Sequence, residues 1–406
     1  MNQSKKRAAQ LFVLVLICVG VAESLGAKNF SNYYNEVFHI TAVQRGFLEI
    51  PRESPGILCM VLVAALGSLG NIWMSVISQL LSLIGLVVMG CMSPTYGVML
   101  VFLFIQSLGS HFFMPLSDTL SMELSEKGKV GTGLGWFKGV TTMSAMVSAC
   151  VVFVGFRFGL FTFDAPVILP FVIAAVFSVL AILLLMLMAR DMGKSGAVAS
   201  HGLLIRRRYM PYYMVTLAYG CQKRIRIVFA PWVIIQLLGQ GADTVALLTI
   251  IVHLVGSWMA PRIGRLLDRL GVRKMLWMEA AYIGVTFSVM GMTAGLLSRG
   301  TLAAGGWQSW IVFGAYILCV LFEQFGMVHS FMMRSIALDQ SEVTRTLSVG
   351  LGVDHIMAII ASPMMGIIWE RFGVQYVFYL AALSALLQLA ASLMVKETNK
   401  SASLAG

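Results

Sequence analysis

The sequence predicts an all-α integral membrane protein with twelve transmembrane helices, and three observations carry this prediction. Hydrophobic residues make up 58% of the 406 residues and charged residues only 12%, with a mean hydropathy of +0.85. Soluble chains carry about 25% charged residues. One crossing needs roughly 20 apolar residues, so with short connections the chain accommodates about twelve crossings. Basic loops separate the apolar runs. These observations exclude a soluble enzyme or a soluble binding domain.

Twelve apolar runs of membrane length follow one another along the chain. They lie at 8–27, 43–69, 71–91, 97–121, 132–156, 166–189, 209–238, 242–261, 275–297, 307–333, 346–369 and 374–395. Basic residues precede the first run, which ends in small residues near Gly26, so a cleaved signal peptide is an alternative interpretation of it. The polar connection 190–208 separates an N-terminal half, 1–189, from a C-terminal half, 209–406.

The distribution of lysine and arginine predicts the orientation. With both termini in the cytoplasm, most of the 29 basic residues fall in cytoplasmic loops, and the outside segments hold only Lys28, Arg45, Arg157, Arg299 and Arg371. This asymmetry follows the positive-inside rule. It explains the net charge of +11 without a nucleic-acid partner. We expect a monomer in the plasma membrane or the bacterial inner membrane, in contact with lipid and with no obligate protein partner.

Motifs for catalysis, metal binding and nucleotide binding are absent from the sequence. The six cysteines fall singly, without a CxxC pair or another metal-binding spacing, and neither GxxxxGK(S/T) nor HExxH occurs. The dispersed histidines and cysteines offer no cluster of nucleophile, base or metal ligands. We therefore expect no enzymatic activity, no cofactor, no metal and no direct use of ATP.

A short internal repeat indicates two related halves. Gly-Leu-Gly occurs at 133–135, where the fifth run opens, and at 350–352, where the eleventh run opens. An ionisable residue follows within three positions in both cases, Lys138 in the first and Asp354 in the second. Parallel repeats of this kind occur in transporters.

The connection between the eighth and ninth runs, which we call the gating loop, has the sequence GRLLDRLGVRK from Gly264 to Lys274. It resembles the cytoplasmic loop signature of the major facilitator superfamily, GxLxDRxGR(R/K), and departs from it at Val272, where arginine is usual. The resemblance implies a secondary transporter with two six-helix halves. It also implies a gating role for Gly264, Asp268, Arg269, Gly271, Arg273 and Lys274.

The chemistry of the gating loop suggests how it acts. Asp268 can cap the N-terminal amides of a neighbouring helix or pair with Arg273, whose guanidinium binds a carboxylate through two hydrogen bonds. The family resemblance implies that such a latch stabilises the outward-facing state. The equivalent first-half loop, 67–71, keeps the opening glycine but loses the acid and the bases. We therefore expect the latch on one side only.

The second run contains four charged residues on one helical face. Its apolar part is too short to cross the membrane, so the helix must begin near residue 43. Arg45, Glu49, Arg52 and Glu53 then follow helical spacing and face inward. The alternative, suggested by two prolines, is an extracellular loop over 43–55 followed by a short tilted span, but the helical spacing of the charges favours the inward-facing stripe.

The seventh run carries three bases at mid-depth. Lys223, Arg224 and Arg226 interrupt two apolar stretches that cannot cross the membrane separately. Each base would cost roughly 2.5–3.5 kcal/mol at the bilayer centre, so they must face water, partners or solute. Lys223 and Arg226 share a helical face and are expected to contact the solute, unless acids neutralise them.

Acids inside the runs are candidates for proton coupling. They are Glu23, Glu49, Glu53, Glu323 and Asp354. We prefer Glu53 as the titrating group because Glu49 lies on the same face, with Glu323 and Asp354 next. His355 is a candidate proton relay or a structural hydrogen-bonding residue. Lys138 either faces the cavity or extends to the membrane interface.

The sequence thus predicts a secondary transporter that moves a small solute through a midplane cavity by alternating access, with protons as the coupling ion. The basic cluster favours an organic anion. Drug/proton antiport is the alternative, although the usual GxxxGPxxGG pattern is missing from the fifth run, which has no proline. A transporter-like sensor that binds a ligand without moving it is a further alternative.

Overall fold

A computed structural model describes residues 3–26, 29–39, 42–92, 94–163, 166–193, 203–240 and 242–395, and the regular elements in these ranges are helical. The first seven helices are α1 (Gln3–Leu25), α2 (Phe30–Phe38), α3 (Ala42–Leu66), α4 (Asn71–Cys91), α5 (Tyr96–Leu124), α6 (Val130–Arg157) and α7 (Leu169–Met192). The others are α8 (Met210–Arg224), α9 (Ala230–Trp232), α10 (Ala242–Ser298), α11 (Gln308–Leu321), α12 (Gly326–Ile336), α13 (Gln340–Arg371) and α14 (Val374–Met394). Residues 194–202 of the expected central loop lie outside the described ranges.

The helices confirm the predicted all-α membrane fold. Within the described residues, ten helical stretches are long and apolar enough to cross a membrane. Helix α10 counts once among them, although it contains both the eighth and the ninth predicted runs. A break in its backbone at Gly271, with φ 77° and ψ 170°, separates the two runs. The seventh predicted run corresponds to α8, α9 and the turns around them. All twelve predicted runs therefore coincide with helical segments.

Three irregular turns interrupt the helices that carry charged residues. π-Helical turns at Ile225–Phe229 and Val233–Leu237 flank α9, and a 3₁₀ turn at Phe322–Phe325 joins α11 to α12. Single π turns inside helices occur frequently at functional sites, because they displace side chains from their regular helical positions. Arg226 lies in the first π turn and Glu323 in the 3₁₀ turn.

Two compact units make up the chain. Unit 1 comprises Met1–Lys127, Trp136–Leu204 and Leu338–Gly352, and unit 2 comprises Gly128–Gly135, Ile205–Ala337 and Val353–Gly406. Each unit therefore contains the beginning of a helix whose remainder is assigned to the other. The beginning of α6 belongs to unit 2, and the beginning of α13 belongs to unit 1.

Helix α1 is part of the hydrophobic core of unit 1. Phe12 and Val15 are fully buried. Phe12 packs edge-to-face against Phe137 of α6, with ring centroids 5.3 Å apart. This packing supports the interpretation of the first run as a membrane span rather than as a signal peptide.

Helix α2 is a short amphipathic helix that the sequence analysis did not predict. Phe30 and Tyr33 are buried, and both pack edge-to-face against Phe171 of α7. Just before the helix, Asn29 donates side-chain hydrogen bonds to the carbonyl groups of Ser24 and Leu25. These bonds satisfy carbonyls at the end of α1 that lack helical partners.

Candidate functional site

Lys223 and Asp354 form an ion pair inside unit 2. The Lys223 Nζ donates a hydrogen bond of 2.7 Å to Asp354 Oδ2, and only 6% of the Asp354 side chain is exposed. A Cβ atom at Gly220, one turn earlier in α8, would lie 2.6 Å from the Asp354 carbonyl oxygen. The absence of a side chain at Gly220 thus allows α8 and α13 to approach closely enough for the pair to form.

Arg226 and Glu323 form a second ion pair in the same unit. The Arg226 Nη1 donates a hydrogen bond of 3.0 Å to Glu323 Oε2. The arginine side chain is 8% exposed and the glutamate side chain 41% exposed. The two residues that sequence reasoning selected for solute contact therefore both have acidic partners, in the described residues, from helices far away in sequence.

These ion pairs leave polar atoms available for a further partner. Arg226 Nε and Asp354 Oδ1 are buried, and neither has a hydrogen-bond partner among the described residues. Because a buried polar group without a partner costs free energy, this arrangement can accept an additional polar group. His355 Nδ1 lies 3.5 Å from Asp354 Oδ2. Arg224, which follows Lys223 in the sequence, is buried and has interaction partners of its own.

Unit 1 brings together acids and hydroxyl groups from α1, α3 and α5. Arg52 Nη2 donates a hydrogen bond of 3.0 Å to Glu53 Oε1. Possible ligand atoms of Glu53 and His111 lie within 4.8 Å of each other. Ser110 donates a hydrogen bond to Glu23. Helix α3, which begins at Ala42, confirms that residues 43–55 are helical rather than an extracellular loop.

Two residues predicted for the pathway, Glu49 and Lys138, have no contact with the unit 1 cluster that can be described. The side chain of Glu49 lies outside the described part of the structure, so its expected effect on Glu53 stays a prediction. Lys138 is half-buried in α6 and has interaction partners. Both of its predicted environments, the cavity and the membrane interface, agree with that burial.

The gating loop binds the beginning of α6 within unit 2. Asp268 accepts hydrogen bonds from the backbone N–H groups of Gly131 (2.7 Å) and Thr132 (2.6 Å), and from the Thr132 hydroxyl group (2.6 Å). A carboxylate is favourable there because the first N–H groups of a helix have no helical partners and carry partial positive charge. Of the two roles considered for Asp268, the structure shows helix capping.

The glycines of the gating loop serve two different purposes. A Cβ at Gly264 would lie 2.2 Å from the carbonyl oxygen of Gly131, and a Cβ at Gly135 would lie 2.4 Å from that of Ala260. Small residues four apart on both helices thus permit close contact of α6 with α10. Gly271 instead has a positive φ of 77° at the break in α10, which favours glycine.

The basic residues of the gating loop lie at its accessible side. Arg269 and Lys274 are exposed, and Arg273 is half-buried. Arg262, just before the loop, stacks on the exposed Trp258, with its Cζ 3.4 Å from the ring centroid. These positions agree with a basic connection at a membrane surface.

The first-half loop also makes a contact, contrary to the one-sided latch expected from the sequence. Asn71 is buried and accepts a hydrogen bond of 3.0 Å from the Thr344 hydroxyl group, near the beginning of α13. Its amide nitrogen donates to Glu123 Oε1 at 3.0 Å. Asn71, a neutral residue, thus has a place in unit 1 comparable to that of Asp268 in unit 2. The sequence did not predict this contact, because the first-half loop lacks the acid and the bases of the gating loop.

Sequence reasoning missed Glu279, the buried acid of α10. It lies within the ninth predicted run, so the same rule that selected Glu323, an acid inside an apolar stretch, could have found it. Its Oε1 accepts hydrogen bonds from His329 Nε2 at 2.8 Å and from Gln388 Nε2 at 3.1 Å.

We expect Asp268→Ala to lower the free energy of unfolding by about 1–2 kcal/mol, because the first N–H groups of α6 lose their cap. Thr132→Val removes only the hydroxyl bond and should cost less. The thermal unfolding midpoints of both variants in one detergent measure the difference. Equal midpoints for Asp268→Ala and the unmodified protein would show that the cap contributes nothing to stability.

Comparison with known proteins finds a matching family model and several solved structures of similar fold. The family model for the Major Facilitator Superfamily matches residues 12–336. A variant of the E. coli fucose:proton symporter FucP is 14% identical, covering 97% of this chain and 100% of that chain, with a TM-score of 0.69. The proton:xylose symporter XylE is 13% identical, covering 96% and 95%, with a TM-score of 0.73.

A bacterial homologue of the iron transporter ferroportin is also similar in structure. It is 12% identical to this chain, the match covers 95% of this chain and 98% of that chain, and the TM-score is 0.75. No curated protein sequence matches. At such low identity these structures establish the similarity of the fold alone.

Proposed function

The chain belongs to the Major Facilitator Superfamily, and on that basis we propose that it is a secondary active transporter that moves a small polar solute by alternating access, with protons as the coupling ion. The proposed functional halves are 1–189 and 209–406, connected by 190–208. Both termini lie in the cytoplasm in this proposal. The residues proposed for the pathway are Glu49, Arg52, Glu53, Lys138, Lys223, Arg224, Arg226, Glu323, Asp354 and His355.

The observation that carries the proposal is the pair of acid–base contacts in unit 2, Arg226 with Glu323 and Lys223 with Asp354. Protonation of Glu323 would neutralise its carboxylate, whereas arginine stays charged. Arg226 would then be left without a counter-ion. Glu323 is 41% exposed, and in this proposal its exposed side faces the aqueous pathway that delivers the proton.

An organic anion fits this exchange. Its carboxylate or phosphate would replace the protonated Glu323 as the partner of Arg226, and Arg226 Nε would provide a second donor. One proton and one negative charge would then enter together, so the net charge of the site would not change. This balance links uptake of the anion to uptake of the proton.

A neutral, polyhydroxylated solute is the second candidate, and one observation favours it. Both bases already have carboxylate partners, which an anion must displace, whereas hydroxyl groups could bind intact ion pairs. FucP and XylE are described as symporters of fucose and xylose with protons.

Ligand-induced thermal stabilisation of the detergent-purified protein tests these candidates. The panel contains small carboxylates, phosphorylated metabolites, sugars, amino acids and lipophilic cations, each with the unmodified protein and with Arg226→Ala. A compound at a hundred times its dissociation constant should add about 2.7 kcal/mol to the stability.

Each outcome selects a candidate. Stabilisation by an anion that disappears in Arg226→Ala supports anion transport, and stabilisation by a sugar supports the second candidate. Stabilisation by lipophilic cations that persists in Arg226→Ala would contradict both and favour drug export. Counterflow of the stabilising compound into proteoliposomes then separates a transporter from a sensor, which binds without exchange.

A further inference from the structure

The most deeply buried acid in the described part of unit 2 is Glu279. Its side chain has no exposed surface, and that of its partner His329 is 6% exposed. Both hydrogen bonds to the carboxylate, from His329 and Gln388, reach Oε1. The other oxygen, Oε2, is buried and has no hydrogen-bond partner among the described residues. The carboxylate is therefore only half satisfied.

The side chains of α14 and α8 that lie near the Glu279–His329 pair include neutral amides and a hydroxyl group. Gln388 of α14 donates to the carboxylate, and Gln222 of α8 donates to Ser384 at 2.8 Å and towards Gln388 at 3.4 Å. Amides and hydroxyls do not neutralise a charge. With a neutral His329, the pair carries one negative charge, and one added proton removes it. Burial disfavours an uncompensated charge.

Tyr219 connects this pair with the ion pairs described above. Its ring packs edge-to-face on the His329 ring, with centroids 4.9 Å apart. Its hydroxyl group lies 3.2 Å from where a Cβ of Gly326 would be, directly after the 3₁₀ turn of Glu323. Tyr219 also interacts electrostatically with Arg226, Glu323, Asp354 and Glu279. Arg226, Glu323 and Asp354 are thus charged groups that share Tyr219 as a neighbour with the Glu279–His329 pair.

We propose that Glu279 and His329 form a proton-binding site inside unit 2. One proton enters the pair, the net charge changes from minus one to zero, and no other bond forms or breaks. The use of this proton to drive a solute rests on the proposed function. The binding of the proton does not.

The rival explanation is a static hydrogen-bond network that joins α10, α12 and α14. A static network keeps one protonation state at every pH, whereas a proton-binding site changes state. Infrared difference spectroscopy of the purified protein between alkaline and acidic pH distinguishes them, because only a buried protonated carboxyl group gives a C=O stretching band separate from that of exposed carboxyl groups. No solute is needed.

We expect the unmodified protein to develop this band on acidification, and Glu279→Gln to lose it. Glu370→Gln, which removes an exposed acid at the end of α13, is the matched control and should retain it. His329→Gln keeps the carboxyl group but removes the shared proton site, so the titration midpoint of the band should shift. Melting curves verify that each variant is folded.

Three results would overturn the proposal: no titrating band in the unmodified protein, a band unchanged in Glu279→Gln, or a midpoint unchanged in His329→Gln. If Glu279→Gln does not fold, the unmodified protein and His329→Gln still decide the question. A titrating band together with a failed counterflow assay would refute the transport proposal while leaving the proton site intact. The two failures are therefore distinguishable.

Discussion

Substitution of Gly264 by valine is expected to destabilise the protein by at least about 3 kcal/mol, beyond the usual cost of one oversized core residue. A Cβ at this position would lie 2.2 Å from the carbonyl oxygen of Gly131 and 3.0 Å from the Cα of Gly135. These atoms are backbone atoms, so no side-chain rotation relieves the clash. Helix α10 must move away from α6, and Asp268 then loses its amide donors.

The matched control for this variant is Gly284→Val in the same helix. A Cβ at Gly284 would have no atom within 4 Å, so this substitution introduces the same side chain without the clash. Thermal unfolding midpoints and the yield of monodisperse protein in one detergent measure both effects. Similar midpoints for the two variants would contradict the close packing of α6 with α10.

The second large effect concerns the ion pair of Arg226 and Glu323, whose two residues should respond unequally. Glu323→Ala leaves a buried guanidinium without its acid, and because Glu323 is partly exposed we expect a cost of about 2 kcal/mol, below that of a fully buried pair. Arg226→Met keeps much of the side-chain volume and leaves a partly exposed Glu323 rather than a buried charge without a partner. Its cost should be smaller.

The double variant tests whether this asymmetry comes from a stranded charge. Glu323→Ala combined with Arg226→Met has no uncompensated base, so it should be more stable than Glu323→Ala alone. The thermal unfolding midpoints of all three variants provide the comparison. Additive losses in the double variant would show that the two side chains act independently.

The sequence predicted the helices better than the contacts between them. Runs of apolar residues report directly on membrane crossing, and the twelve predicted runs coincide with helices. Helix α2 escaped prediction because its nine residues are too few to cross a membrane and their amphipathic pattern is short. The π turns also escaped, because they keep helical dihedral angles and leave no pattern of hydropathy.

The partners of the embedded charges depend on which helices are neighbours, and a single sequence does not contain that information. Composition indicated that Arg226 needed a counter-ion, but Glu323 lies 97 residues away. The gating loop was predictable in more detail because its glycines and its acid occur at fixed spacings. Even there, the identity of the capped helix, α6, required the structure.

The capping of α6 by Asp268 has a consequence for biosynthesis. Asp268 follows Gly131 by 137 residues, so at ribosomal speed the new helix waits roughly ten seconds for its cap. Thr344, the partner of Asn71, is likewise synthesised 273 residues after Asn71. The membrane insertion machinery must therefore accommodate early helices whose ends are unfinished. A nascent chain that stops before Asp268 lacks this cap on α6.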